Sequence, residues 1–241
     1  MAWCPDRDAI TIRAQVPGHR EGEPMEVFQE LVVRGEPRQI VETAEFICKL
    51  VADKWSRDVL AEEQVNKWSP GVKTLCFDRS RDERLPGAAL FLTQKTDALT
   101  VTNIVPRESG QLAYGEYNAL LSEFIDRFVQ PAVARTGAQM DVSDPQADLE
   151  RWLTPGAAKK LRAFCAVANK RSGASHPSDR KFWFDFVVAA HREGAAFPAS
   201  TLARWLNEVG GWDEEWASKL SIQYEQARGL LEYADHQAVG A

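Results

Sequence analysis

The sequence predicts an α+β protein in two parts: a mainly antiparallel sheet with two packed helices, then an all-helical bundle. Three observations carry this. Before about position 143 several runs alternate apolar and polar side chains, the period of half-buried strands. After Asp144-Pro145 the alternation stops, and apolar residues recur at three- and four-residue intervals, the period of packed helices. The length of 241 residues suits one large domain or two small ones. The division expected is 1–143 for the strand-rich part and 144–241 for the helical part.

The elements follow in the order ββαβββαβ. Residues 10–16 (Ile-Thr-Ile-Arg-Ala-Gln-Val) alternate as a strand, 18–24 are turn-like, and 27–33 give a second strand and hence a hairpin. Pro37 opens a helix whose stripe is Ile40, Ala44, Ile47 and Val51. Residues 72–77 read as a strand, and 78–84 (Asp-Arg-Ser-Arg-Asp-Glu-Arg) as a solvated charged loop. Residues 88–93 and 99–105 are the clearest strands, joined as a hairpin through Lys95-Thr-Asp-Ala, with Pro106 ending the second. A long helix begins near Tyr114 with Leu120, Leu121, Phe124, Ile125 and Phe128 inward, and Pro131 should kink or restart it. Residues 139–142 form a last short strand.

In the helical part, Thr154-Pro155 is a cap followed by proline at the first helical position. That helix buries Leu161, Phe164, Cys165 and Ala168. Ser178 is expected to cap the next, which carries Phe182, Trp183, Phe184, Phe186, Val187 and Val188 and reads as the apolar centre of the bundle. A helix near 200–209 offers Leu202, Trp205 and Leu206 before Gly210-Gly211. Asp213 caps the last, with Trp216, Leu220, Tyr224, Ala227 and Leu231 inward.

Bulk chemistry narrows the function classes. The net charge of −6 and pI near 5.4 argue against a polyanion-binding surface over the whole protein. Cys4, Cys48, Cys76 and Cys165 are scattered without the close pairs of a zinc clip, as reduced thiols would be. The opening residues Met-Ala-Trp-Cys-Pro-Asp-Arg-Asp carry acids where a signal peptide needs an apolar run. The longest apolar run, 163–168, falls far short of the ~20 residues that span a bilayer. A cytoplasmic protein with no membrane partner, no metal and no cofactor is expected. Arginine outnumbers lysine and alanine is abundant, a bias of bacterial GC-rich genomes.

Charge is unevenly placed. Residues 151–200 hold nine Lys or Arg against three Asp or Glu, whereas 101–150 hold three against eight. The basic segment 159–181 contains Lys159, Lys160, Arg162, Lys170, Arg171, Arg180 and Lys181. Its loop leads into a helix start, where free N–H groups and the helix dipole favour an anion. Lys170, Arg171, Ser172, Ser175, His176, Ser178 and Arg180 are therefore the candidate anion-binding residues, although Lys170 and Arg171 are also simply favourable at a helix C-terminus.

Weaker motifs have plainer explanations. Ser178-Asp-Arg-Lys181 matches the Ser-x-x-Lys pattern of some acyl-enzyme hydrolases, without their Ser-Asp-Asn and Lys-Thr-Gly partners. His191-Arg-Glu193 is half of a zinc-deaminase signature and lacks the Pro-Cys-x-x-Cys half. Asp141, Asp144, Asp148 and Glu150 lack the central glycine of a calcium loop. Trp212 or Trp3 could serve as an exposed partner anchor. With no catalytic constellation, the leading expectation is a non-enzymatic binding or regulatory protein with another protein as partner, its contact surface on the helical half. The alternatives are a hydrolase or nuclease acting on a phosphorylated substrate at 170–181, and nucleic-acid binding through 159–181.

Overall fold

In a computed structural model, alternation along the first half of the chain produces one six-stranded antiparallel sheet. The structure describes residues 24–68, 71–195 and 197–239. They divide between two compact units: one is Glu26–Ala147, and the other includes everything described from Asp148 onward. The first strand expected, 10–16, and its hairpin lie outside the described residues.

The sheet runs β3-β4-β5-β6-β2-β7, every neighbouring pair antiparallel. Its strands are β2 (Leu31–Arg34), β3 (Trp55–Arg57), β4 (Lys73–Arg79), β5 (Ala88–Gln94), β6 (Ala98–Pro106) and β7 (Gln139–Val142). A separate two-stranded ribbon joins β1 (Met25–Glu26) to β8 (Gln146–Ala147). Two helical stretches cover one face, as the sequence predicts: α1 (Pro37–Leu50), and α3 (Tyr114–Phe124) continuing into α4 (Gln130–Thr136). The core between them holds Ile40, Ala44 and Ile47 of α1, Leu120, Leu121 and Phe124 of α3, and Leu75, Phe77, Leu90, Leu92 and Leu99 of the sheet.

Four details depart from the sequence reading. First, residues 27–30 do not join β2. They are held by side chains and by two isolated backbone bonds: Gln29 N donates to Asn118 Oδ1, Asn118 Nδ2 to Val27 O, Glu30 N to Ser143 Oγ, Val27 N to Pro145 O and Ser143 N to Glu30 O.

Second, the charged run 78–84 is a solvated loop only from residue 80 on, where Ser80, Arg81, Glu83 and Arg84 are exposed. Asp78 and Arg79 complete β4, and alternation puts Arg79 on the same face as Leu75 and Phe77. Its side chain is 1% exposed and pairs with Glu123 and Asp82. It also donates to the carbonyls of Ser80, Leu85 and Pro86. Asp82 in turn caps the amides of Arg84 and Leu85.

Third, β3 and the helix α2 (Val59–Trp68) were not foreseen. Fourth, the α-helix does restart at Pro131, which stands in the first two positions of α4, but the restart is not an ordinary kink. A π-helical turn, Ile125–Val129, separates α4 from α3, with Gln130 N donating five residues back to Ile125 O.

In the other unit α5 (Pro155–Val167), α6 (Pro177–Arg192), α7 (Ala199–Glu208) and α8 (Glu214–Val239) form the helical bundle. α6 buries one face, Trp183, Phe186, Val187 and Ala190, at helical spacing. It is not apolar-buried all round: Phe182 and Phe184 lie off that face and are exposed. Trp212 is not an exposed anchor either. It is buried, stacks on Phe164 with ring centroids 5.2 Å apart, and donates its indole N–H to Cys165 Sγ.

Candidate functional site

The turn from α5 into α6 is built by local polar contacts. Asn169 Oδ1 accepts from Arg171 N at 3.1 Å, and the buried Asp179 accepts from Asn169 N at 3.0 Å. A single 3-10 turn, Lys170–Ser172, follows, then Gly173 and Ala174 with φ of 62° and 53°. Positive φ favours glycine at the first of these. Space demands it as well, since a Cβ on Gly173 would sit 2.2 Å from the Trp216 ring. The close approach that Gly173 permits is that of an indole.

His176, not Ser178, caps α6. Proline is preorganised for the first helical position, so Pro177 sets the cap at the residue before it, two positions back from Ser178. His176 Nδ1 accepts from Ser178 N at 3.3 Å and lies 2.6 Å from Ser178 Oγ. Pro177 has no N–H, the Ser178 N–H is used, and Asp179 places a carboxylate in the first turn. The helix start is self-capped.

Beside this turn a groove of about 530 Å³ opens between α6 and α8. Residues 172–175 close one end. α6 contributes Arg180, Trp183 and Phe184, and α8 lines the rest from Trp216 to Leu230. Trp183 is fixed from behind by Phe164 and Phe186, at ring-centroid distances of 5.0 and 5.4 Å. Phe184 and Leu230 are left 55% and 68% exposed, an apolar lip that a satisfied core would have covered. Arg180 is the one charged residue lining the groove.

The seven candidate residues therefore fall into three groups. Ser172, Ser175 and Arg180 line the groove. Lys170 and Arg171 stand in the turn just before it, outside the lining. His176 and Ser178 are occupied with each other at the helix cap. The wider basic segment does not converge. Lys159 and Lys160 lie about 11 Å from the C-terminal end of α5 at 1.5 Å per residue, whereas Lys170 is in the turn beyond that end. Arg162 pairs with Glu150 at 2.6 Å, holding that carboxyl below its ordinary range, and Lys181 pairs with Asp185 at 2.7 Å.

The apolar wall on α8 was not foreseen as part of a site. The available signal was excess: beyond its inner stripe α8 also carries Ile222, Leu230 and Tyr233, all exposed. His191, read as a helix-end partner, places its ring Nε2 2.7 Å from Asp235 Oδ2 of α8, whose carboxylate accepts the ring N–H. Among the described residues no three His, Cys, Asp or Glu side chains gather as a metal site requires.

The sheet unit has its own cleft, of about 820 Å³, between residues 28–30 and β6. It exists because β2 pairs with β6 only over Ala98–Thr100, leaving residues 101–106 of that edge without a strand partner among the described residues. Burial pushes the thiol of Cys76, elsewhere on the sheet, up to about 11, so it is a small hydrophobe rather than a nucleophile.

No protein-family model matches the chain, and no curated protein or solved structure does.

Proposed function

We propose that the chain is a non-enzymatic binding protein whose contact surface is the α6–α8 groove of the helical unit, with another protein as its partner. The observation carrying this is the open aromatic groove with its exposed Phe184 and Leu230 lip. Interfaces take most of their energy from a few aromatic and arginine anchors seated at such a concavity, and Trp183, Phe184, Trp216 and Arg180 supply that set. Panning a random peptide display library against the full chain tests it. Selected peptides should lose about tenfold or more in affinity on Phe184→Ala or Leu230→Ala, the scale of a hot-spot residue. Ile222→Ala should leave affinity unchanged, since Ile222 is exposed on α8 outside the groove. Equal loss in all three variants, or none, would remove the reading.

One observation favours a hydrolase acting on a phosphorylated substrate: the 2.6 Å contact of His176 Nδ1 with Ser178 Oγ. A base must also be oriented by a third group. Asp179, the nearest acid, instead contacts Ser178 Oγ and Asn169 N. Turnover of a generic phosphodiester, abolished by His176→Ala, would put this reading ahead of the first. Nucleic-acid binding through 159–181 has less support, because two of its cations are committed to carboxylates and the others are split between Lys159 and Lys160 in the middle of α5 and Lys170, Arg171 and Arg180 at the turn into α6.

A further inference from the structure

The composition of the groove constrains what can fill it. Its walls are indole, phenyl and aliphatic, with two serine hydroxyls and the Gln223 and Gln226 amides as neutral polar groups. Among the described residues a single cation, Arg180, and no carboxylate line it. This is unusual inside a chain of net charge −6. Four other cations of the bundle are paired: Arg162 faces Glu150, Lys181 faces Asp185, Lys219 faces Glu215 and Arg228 faces Glu232, while Lys159, Lys160 and Arg192 stand on the helices with no ion-pair partner among the described residues. Arg180 has no ion-pair partner among the described residues, and neither do Lys170 and Arg171 in the adjoining turn. One end of the groove therefore presents a guanidinium that no carboxylate of the described residues pairs with.

Resting on the groove reading above, we infer that the occupant is an apolar helical segment of a partner protein that bears a carboxylate, held by Arg180 at the 172–175 end. A guanidinium matches a carboxylate in shape and charge, and two parallel N–H···O bonds fix its orientation. Many-phosphate ligands need several cations along their path. Here the path beyond Arg180 is aromatic and aliphatic. Length separates a protein segment from a small amphiphile. From Trp216 to Leu230 the lining of α8 runs about 20 Å at 1.5 Å per residue, the reach of a helix of nearly four turns. Such a helix would seat its apolar stripe against Trp216, Phe184 and Leu230, as helices do in apolar grooves.

The test titrates the full chain with two synthetic 18-residue helical peptides that share one leucine face. Their flanks are glutamate in one and lysine in the other. Tryptophan fluorescence follows binding, since Trp183 and Trp216 both line the groove. Only affinity lost in Phe184→Ala is counted, which removes attachment elsewhere on the acidic surface. The glutamate peptide should bind about tenfold tighter than the lysine peptide, and added salt should narrow the gap. Arg180→Gln should erase the preference and Arg180→Glu should reverse it. Arg180 is exposed, so both variants should melt with the wild type. Equal groove-dependent affinity for the two peptides would overturn the carboxylate inference while leaving the groove as a binding surface. Absence of groove-dependent binding by either peptide would overturn the inference and count against the groove itself. Binding of sodium laurate or of a single-stranded oligonucleotide in the groove, with neither peptide bound, would overturn the inference in favour of a small amphiphile or a polyanion.

Discussion

At the residue scale the helical unit separates side chains that sequence alone treats as equivalent. Phe184 and Phe186 sit two positions apart in the same apolar run, yet Phe186 is fully buried and Phe184 is 55% exposed. Two residues turn a helix by roughly 200°, so one of any such pair must leave the buried face. Phe186→Ala should therefore cost about 3–5 kcal/mol, the transfer and cavity terms together. Phe184→Ala should stay within about 1 kcal/mol, because little area returns to water. Urea denaturation of the two variants checks this, and similar losses in both would mean that α6 is buried all round after all. The same scale explains why the cap of α6 was misplaced. Serine is a better cap than histidine by preference, but a proline at the first helical position decides the register regardless of the neighbouring side chains.

At the element scale, legibility followed apolar periodicity. α1, α3, β5 and β6 were readable because each buries a regular stripe. α2 was not, since Glu62 is its only buried residue, and β3 is three residues long. α2 works through polar contacts that no hydrophobic pattern records. β3 pairs only with Phe77, Asp78 and Arg79, which leaves the rest of β4 as an open edge. α2 closes that edge: Asn66 exchanges two hydrogen bonds with the Thr74 backbone, and Glu62 accepts from Cys76 N. Covering an edge in this way blocks pairing with other chains. The Arg79 cluster belongs to the same class. Its charge would be costly in the core, and it is stable there because Glu123, Asp82 and three carbonyls surround it. Glu123 is also tied to the Trp55 indole N–H at 3.0 Å, so the cluster joins α3 to both β3 and β4. Arg79→Ala should lower stability by about 3–5 kcal/mol, the cost of leaving a partner charge uncompensated. Arg79→Met together with Glu123→Leu should recover much of that loss. A single variant with an unchanged melting temperature would show that the cluster is ornamental to the fold.

At the scale of the whole molecule, the charge pattern was legible as composition and not as geometry. The sequence shows a basic segment between acidic ones, but which cations are neutralised depends on helix phase: Arg162 reaches Glu150, whereas Arg180 reaches no acid. The groove was hidden for a similar reason, because its α8 wall reads as an ordinary inner stripe until Leu230 is seen to be exposed. Acid response follows from the paired carboxylates of both units. Lys54 and the Leu85 and Arg84 amides hold the Asp82 carboxyl well below its ordinary range. The Ala61 amide and Arg107 do the same for Asp58, and Arg162 does so for Glu150. In an unfolded chain these groups titrate near 3.9 for Asp and 4.3 for Glu. A depressed folded value means that the unfolded state takes up protons first as pH falls. The stabilisation is therefore complete above about pH 5 and is lost as pH drops through 4 toward the folded values. The urea midpoint should be level from about pH 5.5 to 8 and decline below about 4. Asp82→Asn supplies the sharper check. Near pH 7 the variant should be less stable than wild type, because the contacts with Lys54 and Arg79 lose their charge. Near pH 3 the gap should be smaller, since the unfolded wild-type carboxyl is then largely protonated, and it should close only as pH falls through the depressed folded value. A gap of the same size at both pH values would mean that Asp82 contributes through hydrogen-bond geometry alone, with no share in the acid response.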